Sequence, residues 1–573
     1  MKIVIVGGVA GGMSAAARLR RLAEDAEIVV VEKGDYVSFA NCGLPYHVAD
    51  EIPHRADLLV QTPQSLRAAL ALDVRTGTEA VAIDRANRVV TVVDSGGEYA
   101  LPYDALVLAP GARAVRPPIP GIDSPLVHTL RTVPDADAVR ALVAAGARRA
   151  VVLGAGFIGL EAAEGLRRRG LDVALVDVAP HVLPPLDDEL AALLHDELVR
   201  HGVDVRTGVG ATAVEEPTPA ADDAPAEPGH AVEVVLSDGA RLPADVVLLS
   251  VGVRPASTLA AEAGLELGPT GAIRVDERLR TSDPHIWAVG DAIEVTNAVT
   301  GELGPVPLAG PANRQGRTAA DAILGRAAAA PPVLGTAVVR VFGLTAALTG
   351  ASQRQLRRAG IEHHVVHVHP NQHAGYFPGA TQVHLVLSVG TDGRVLGAQA
   401  VGAEGVDKRI DVLATAIRAG MDADDLAELE LAYAPPYGSA KDPVNMAGMV
   451  AQNVLSGVVR QWYPADLDEV LATALVLDAR SPREYADGHL PGALNVPHTQ
   501  VRARLDEIRE AAAGRPVRVH CQSGFRSYLA HRVLAAAGLD SANLSGGMLT
   551  LRAARPGLVL ETGRSAPAVA TAS

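Results

Sequence analysis

Two strand–glycine turn–helix units constrain this chain more than any other feature. The first runs Lys2-Ile3-Val4-Ile5-Val6, then Gly7-Gly8-Val9-Ala10-Gly11-Gly12, then a predicted helix Ser14 to Leu22 and a strand Ile28 to Val31 ending in Glu32. The second runs Ala150-Val151-Val152-Leu153, then Gly154-Ala155-Gly156-Phe157-Ile158-Gly159, then a helix predicted from near Leu160 and a strand Val173 to Val176 ending in Asp177. Glycines at this spacing permit a tight turn and close approach of backbone to a pyrophosphate seated on the helix N-terminus. The acidic residue about 20 positions on accepts hydrogen bonds from a ribose. Val9 stands where the middle glycine of the first turn belongs, so that turn rests on its context. Asp177 would repel a 2′-phosphate, which favours NADH over NADPH at the second site. Two such sites suggest one dinucleotide held tightly and one that exchanges.

At 573 residues the chain is expected to hold three or four domains. Apolar residues make up 48% and aromatics only 3%, which suits α/β domains whose helices lie close on their sheets. No apolar run reaches the roughly 20 residues of a membrane span. The N-terminus opens directly on a strand, without the layout of a leader, so a cytoplasmic enzyme is the default. The formal charge of −15 argues against nucleic acid, which needs a basic surface. No metal site is expected. The Pro-, Ala- and Asp-rich stretch Glu215 to Gly229 reads as a solvated hairpin or disordered insert.

Only two cysteines exist, far too few for a disulfide framework. A cytoplasmic cysteine is ordinarily a buried hydrophobe. Here each sits in a loop of Gly, Ser and Asn: Ser38-Phe39-Ala40-Asn41-Cys42-Gly43, and His520-Cys521-Gln522-Ser523-Gly524-Phe525-Arg526-Ser527. Glutathione-reductase-like enzymes, which this loop resembles, place a second cysteine five positions on, where this chain has His47, so Cys42 has no local partner. Its oxidised form must be a sulfenate or a mixed disulfide with something small. Ser14, Arg18 and Arg21 fall at i, i+4 and i+7, one face of the first helix.

The segment around Cys42 closely resembles coenzyme A-disulfide reductases, and the resemblance covers about residues 1 to 455. It extends to Gly402-Ala403-Glu404-Gly405-Val406-Asp407-Lys408-Arg409 and to Tyr433 through Asp442. Trp287-Ala288-Val289-Gly290-Asp291 resembles the late FAD motif of flavoprotein disulfide reductases; Leu106 to Ala112 resembles their domain-joining motif, with Pro110 where Thr is usual. The resemblance implies FAD at the first site, held by Gly7, Gly8, Ala10, Gly11, Gly12, Glu32, Lys33, Val81, Arg131, Gly290 and Asp291. It implies a nicotinamide dinucleotide at Gly154, Gly156, Phe157, Ile158, Gly159, Asp177 and Gly252. It implies coenzyme A contacts from Ser14, Arg18, Arg21, Ser38, Asn41 and Lys441. It also implies a homodimer in which Tyr376 and Tyr433 of one subunit lie over Cys42 of the other, where a phenol can orient or protonate a leaving thiolate. NADH peroxidases and oxidases share the fold and the single cysteine but carry a His in the first glycine turn, where this chain has Ala10. That favours thiol–disulfide exchange over peroxide.

Leu477 to Tyr485, Gly488 to Ala493 and Val519 to Ser527 resemble rhodanese domains. Cys521 lies between a strand and a helix, where backbone N–H groups and the helix dipole stabilise a thiolate or persulfide, and Arg526 adds positive charge. Four residues separate Cys521 from Arg526, whereas related phosphatases use five; the shorter loop suits a sulfur atom. Asp478 and Arg480 read as structural.

The expected fold class is α/β: two Rossmann-like dinucleotide-binding domains, an α+β dimerisation domain and a C-terminal rhodanese-like domain. The boundaries are 1–123 with 254–330 for FAD, 124–253 for the nicotinamide nucleotide and 331–455 for dimerisation. A linker at 456–466, a rhodanese-like domain at 467–562 and a disordered tail at 563–573 complete the chain. The expected activity is FAD-dependent NAD(P)H reduction of coenzyme A persulfide, polysulfide or coenzyme A disulfide through Cys42, with Cys521 delivering sulfane sulfur. Two alternatives stay open: an NADH oxidase or peroxidase working through a Cys42 sulfenate, and a sulfurtransferase with a vestigial flavin half.

Overall fold

The computed structural model describes residues 1–216 and 231–563. The expected insert, apart from Glu215 and Glu216, and the expected tail beyond Gly563 lie outside the described residues. The chain divides into two compact units, 1–184 with 198–335, and 185–197 with 336 onward.

In the first unit, Lys2–Val6 lies between Glu27–Val31 and Ala105–Leu108 in a parallel sheet completed by Asp73–Arg75 and Ile286–Ala288. Its strands read as continuous apolar runs because both faces are covered: Ile3, Val4 and Ile5 have no exposed surface. The first helix spans Ala10–Leu22, beginning four residues before the sequence suggested, with Val9 at its N-cap. It packs on Ala309–Ile323 with backbone in contact, since a Cβ at Gly316 would lie 2.2 Å from the Gly11 carbonyl oxygen. The sheet of the second glycine-turn domain is also parallel, in the order Val203–Thr207, Asp172–Asp177, Arg149–Leu153, Val246–Leu249, Val127–His128. Its helix starts at Phe157, three residues earlier than expected, because Gly156 serves as the N-cap. Helix Leu44–Val48, just after Cys42, lies against it: a Cβ at Gly165 would sit 3.0 Å from that of Ala49.

In the second unit, the strands Ala337–Val341, Leu344–Gly350, Val395–Gly402, Val383–Gly390 and His363–Val368 form an antiparallel sheet in that order. The helices Val406–Ala419 and Pro443–Leu455 share its core through Ile410, Leu413, Val444 and Ala447. Residues 185–197, assigned from sequence to the nicotinamide domain, group with this unit. Asp187 N–H donates to Gln399 (2.7 Å), and Glu197 accepts from Gly343 N–H (2.9 Å).

The last domain is a parallel sheet in the order Gln461–Trp462, Ser541–Leu544, Val517–His520, Leu475–Asp478, Leu494–Asn495. Its edge strand falls inside the stretch expected as a linker. Trp462 explains the difference: its ring is buried in the domain core and its indole N–H donates to the Val519 carbonyl (3.2 Å). Among the described residues no helix is long and apolar enough to cross a membrane.

Candidate active site

The two glycine turns repeat one construction. Glu32 accepts from Gly8 N–H (2.7 Å) and Gly34 N–H (2.9 Å). Asp177 accepts from Ala155 N–H (2.5 Å) and Ala179 N–H (2.8 Å). Each carboxylate is thus fixed at its strand end by the turn it serves. Gly7 has φ +103°, and a Cβ there would fall 2.1 Å from the Ala109 carbonyl oxygen. A Cβ at Gly12 would meet the Gly7 carbonyl at 1.9 Å, so helix and strand close only on glycine. Gly156 is different, since a Cβ there would point into open space, where a pyrophosphate would approach.

The remaining expected cofactor residues gather around these turns. Gly290 (φ +80°) donates its N–H to Gln315 (2.8 Å), and Asp291 accepts from Arg131 (3.3 Å). Lys33 pairs with Glu79 (2.7 Å) on the surface. Val81 sits at a register slip, between Ala80 opposite Val92 and Ala82 opposite Thr91; a bulge frees its backbone from the ladder. Gly252 adopts φ +100° and accepts from Val115 N–H (3.0 Å) beyond the end of Val246–Leu249. Ile158 is exposed at the start of its helix, beside the half-buried Phe157.

Cys42 is exposed, in the short turn Asn41–Gly43 that precedes Leu44–Val48. Its loop is tied to the first glycine turn, because Ser38, in the left-handed region at φ +47°, donates its N–H to the Gly8 carbonyl (2.8 Å). The Cys42 thiol is pushed above its ordinary value, first by partial desolvation and then by the negative charges of Glu161 and Asp291. Glu161 belongs to helix Phe157–Arg168 and holds the Tyr46 hydroxyl at 2.9 Å, so Cys42 stands where the two dinucleotide domains meet. His47 is buried with Nδ1 on the Ile52 carbonyl (2.6 Å). A partner for the Cys42 sulfur must therefore arrive from outside this segment.

The expected basic face is partly neutralised. Ser14 donates to Asn313 (2.6 Å), and Arg18 forms a bidentate pair with Asp321 (2.9 and 3.2 Å), both on helix Ala309–Ile323. Arg21 is exposed. Asn41 and Ser38 are half-buried beside Cys42.

In the second unit Tyr376 and Tyr433 are brought together from distant loops, hydroxyl to hydroxyl at 3.0 Å, and both are exposed. That bond pushes the Tyr376 phenol above its ordinary value. Arg409, buried, joins the two loops: it donates to the Gln372 carbonyl (2.7 Å) and to the Asp442 carboxylate (2.8 Å). Asp442 caps helix Pro443–Leu455, and exposed Lys441 precedes it.

Cys521 ends strand Val517–His520 and is fully buried. Its sulfur accepts from Gly524 N–H (3.2 Å) and the Ser527 hydroxyl (3.2 Å). Gly524 adopts φ +93°, which turns its N–H inward. Arg526 holds Glu484 in a bidentate pair (2.6 and 2.8 Å), and this draws the Glu484 carboxyl down to about 2. Asp478 and Arg480 form a buried pair (2.6 Å), Arg480 also binds the Gly488 carbonyl (2.8 Å), and Asp478 lies 3.8 Å from the His520 ring beside Cys521.

Residues 1–316 match the family described as pyridine nucleotide-disulphide oxidoreductase, more than half of the chain. The chain belongs to this family. Residues 336–443 match the dimerisation domain of pyridine nucleotide-disulphide oxidoreductases, and 461–554 match the rhodanese-like domain. The coenzyme A disulfide reductase of Staphylococcus haemolyticus is 35% identical over 79% of this chain and all of its own length. A protein named NADH oxidase from Methanocaldococcus jannaschii is also 35% identical, over 80% of this chain and all of its own length. The structure of reduced CoADR-RHD from Bacillus anthracis is 43% identical, with TM-score 0.93 over 98% of this chain and 99% of its own. That of a NAD-dependent persulfide reductase from A. fulgidus is 40% identical, with TM-score 0.88 over 96% of this chain and all of its own.

As a pyridine nucleotide-disulphide oxidoreductase the chain is an oxidoreductase, and FAD and NAD(H) are the family's cofactors. The residues present fit both: two glycine turns, each with a carboxylate fixed at the strand end where a ribose would lie, and an open face at Gly156. Sequence reasoning missed Glu161, Asn313, Gln315 and Asp321, which complete these sites from distant segments and carry no local motif, and gave no role to Glu484, which lies within the rhodanese-like stretch. Gly316 gave the one available signal, a glycine inside an otherwise good helix.

Proposed function

We propose that this chain is an FAD-dependent NADH oxidoreductase of the cytoplasm that reduces coenzyme A disulfide, coenzyme A persulfide or polysulfide through Cys42. We assign Cys521 the delivery of sulfane sulfur. One observation carries the reading: Cys42 is an exposed sulfur at the meeting of two dinucleotide domains, with a buried histidine where a second cysteine would close a disulfide. The names of the relatives from S. haemolyticus and A. fulgidus support the substrate class.

Bound FAD and NADH would supply two electrons at Cys42. The Cys42 thiolate attacks one sulfur of the substrate, and its S–S bond breaks. A mixed disulfide of Cys42 with coenzyme A forms, and coenzyme A thiolate leaves, or hydrosulfide if the substrate was the persulfide. Two electrons and a proton then release the second thiol and restore the Cys42 thiolate. Tyr376 and Tyr433, acting from the partner subunit of a homodimer, orient and protonate the leaving thiolate; the hydroxyl pair supports this role, because one phenol holds the other in place. Ser14, Arg18, Arg21, Ser38, Asn41 and Lys441 bind the coenzyme, with Arg21 and Lys441 offering exposed positive charge.

The deciding experiment follows NADH consumption with coenzyme A disulfide, coenzyme A persulfide, polysulfide and peroxide for wild type, Cys42→Ser and Cys521→Ser. Cys42→Ser is expected to abolish turnover of every thiol substrate. Cys521→Ser should spare the disulfide and impair polysulfide. Full turnover by Cys42→Ser overturns the mechanism. Peroxide as the best acceptor would move the chain to the reading suggested by its NADH oxidase relative.

A further inference from the structure

The sulfur loop of the rhodanese-like domain is backed by a turn that the dimerisation domain holds. Ser545, Gly546 and Gly547 follow strand Ser541–Leu544 and lead into helix Gly547–Ala554. Behind the loop, Met548 N–H donates to the Cys521 carbonyl (2.9 Å) and Leu549 N–H to the Gln522 carbonyl (3.0 Å). A Cβ at Gly547 would lie 2.6 Å from the Cys521 carbonyl oxygen, so turn and loop touch backbone to backbone. These bonds fix the two peptide planes that lead into the Ser523–Gly524 peptide, whose N–H reaches the Cys521 sulfur.

The turn is gripped by side chains from strand His363–Val368 and the residue that follows it. Ser545 is fully buried, and its hydroxyl meets His367 Nδ1 at 2.8 Å. His367 Nε2 meets Glu189 Oε1 at 2.7 Å. A carboxylate only accepts, so in the neutral ring Nε2 carries the proton and Nδ1 accepts from Ser545. Next to this chain, His369 Nε2 meets the Thr550 hydroxyl (2.8 Å), while its Nδ1 meets His384 Nδ1 (2.8 Å). Gly546 leaves no slack, since a Cβ there would lie 2.8 Å from that of His367.

The order carboxylate–imidazole–hydroxyl is that of a serine-activating triad. Here, however, the hydroxyl belongs to the turn that backs the sulfur loop, and it ties that turn to strand His363–Val368. The group therefore anchors.

We propose that Glu189, His367 and Ser545 are positioning residues for the Cys521 loop, so that the dimerisation domain sets the geometry in which Cys521 carries sulfur. The inference rests on Cys521 being the sulfur-accepting thiol. In that step the Cys521 thiolate attacks the sulfane sulfur of thiosulfate, sulfite leaves, and a Cys521 persulfide forms. Cyanide then takes the outer sulfur as thiocyanate and returns the thiolate, with no net oxidation of the protein.

The test uses full-length holoenzyme and two readouts: thiocyanate formation from thiosulfate and cyanide, and NADH-dependent reduction of coenzyme A disulfide. His367→Phe and Ser545→Ala should each lower kcat for thiocyanate on the order of tenfold, the scale of one misdirected hydrogen bond to a reacting charge. KM for thiosulfate and the coenzyme A disulfide reaction should stay unchanged. Glu189→Gln, which keeps an acceptor for His367, should stay close to wild type. Unchanged thiocyanate kcat in both His367→Phe and Ser545→Ala overturns the inference. So does loss of both activities together, which would mark the cluster as a general prop of the fold. If wild type makes no more thiocyanate than Cys521→Ser, the assignment of Cys521 fails and the inference with it.

Discussion

The mechanism proposed for Cys42 requires a reactive thiol, yet Glu161 and Asp291 both oppose its ionisation. Glu161 holds Tyr46 in place and sets its charge against the thiol at the same time. Glu161→Gln removes that charge and keeps an acceptor for Tyr46, so the Cys42 thiol should ionise at lower pH. Alkylation of Cys42 by iodoacetamide in the holoenzyme is expected to speed up at neutral pH and to shift its midpoint downward. An unchanged profile would mean that the Glu161 charge does not govern the thiol. Cys42 and Cys521 were legible in the sequence because cysteine is scarce and both lie in small-residue loops. Glu161 and Asp321 were not, because their roles arise from contacts with residues 119 and 303 positions away, which no local pattern encodes.

Among elements, the two loops bearing Tyr376 and Tyr433 are joined by a buried ion pair and by Ala374 N–H, which donates to the Gly438 carbonyl (2.9 Å). Arg409 and Asp442 retain only 2% and 4% side-chain exposure. Arg409→Met leaves Asp442 charged, buried and short of its partner, at a cost of about 3–5 kcal/mol. Denaturant unfolding should show that loss, and the tyrosine hydroxyls should part. Arg409→Lys would recover part of the stability but not the fork that reaches both the Gln372 carbonyl and the Asp442 carboxylate. The strands and glycine turns were readable because their apolar runs and punctuation are local. Helix starts were missed by three or four residues, since the N-caps are Val9 and Gly156 and neither has a side chain that signals a cap. The edge strand Gln461–Trp462 was missed because two residues set no period; only burial of the Trp462 ring reveals it.

At the scale of the whole molecule, the rhodanese-like domain carries an acid weakness of its own. Burial pushes His520 and His531 down to about 4 from an ordinary value of 6.5. Among the described residues neither His520 ring nitrogen finds a hydrogen-bond partner, Asp478 standing 3.8 Å from Nε2, and His531 Nε2 accepts from Arg460 N–H (3.4 Å). The unfolded chain takes up these protons near pH 6.5 and the native domain resists them until about 4. Stability is therefore full above 6.5 and declines as pH falls toward 4, by at most about 3 kcal/mol per histidine. Thermal unfolding at pH 7.5 and pH 5 should show this domain melting earlier in acid, and His520→Leu should flatten the dependence. No such slope would mean that both imidazoles reach solvent.

The crossing of Ala10–Leu22 over Ala309–Ile323 has a consequence for how this chain can change over generations. Gly316 sits three hundred residues from the motif it supports, yet even one added methyl there would push on Gly11 and the phosphate-facing turn. Mutational tolerance at that position is thus inherited from the cradle rather than from its own helix. With the flavin assigned to that turn, as proposed, a drifting sequence would lose its yellow prosthetic group through a substitution that every propensity scale scores as an improvement.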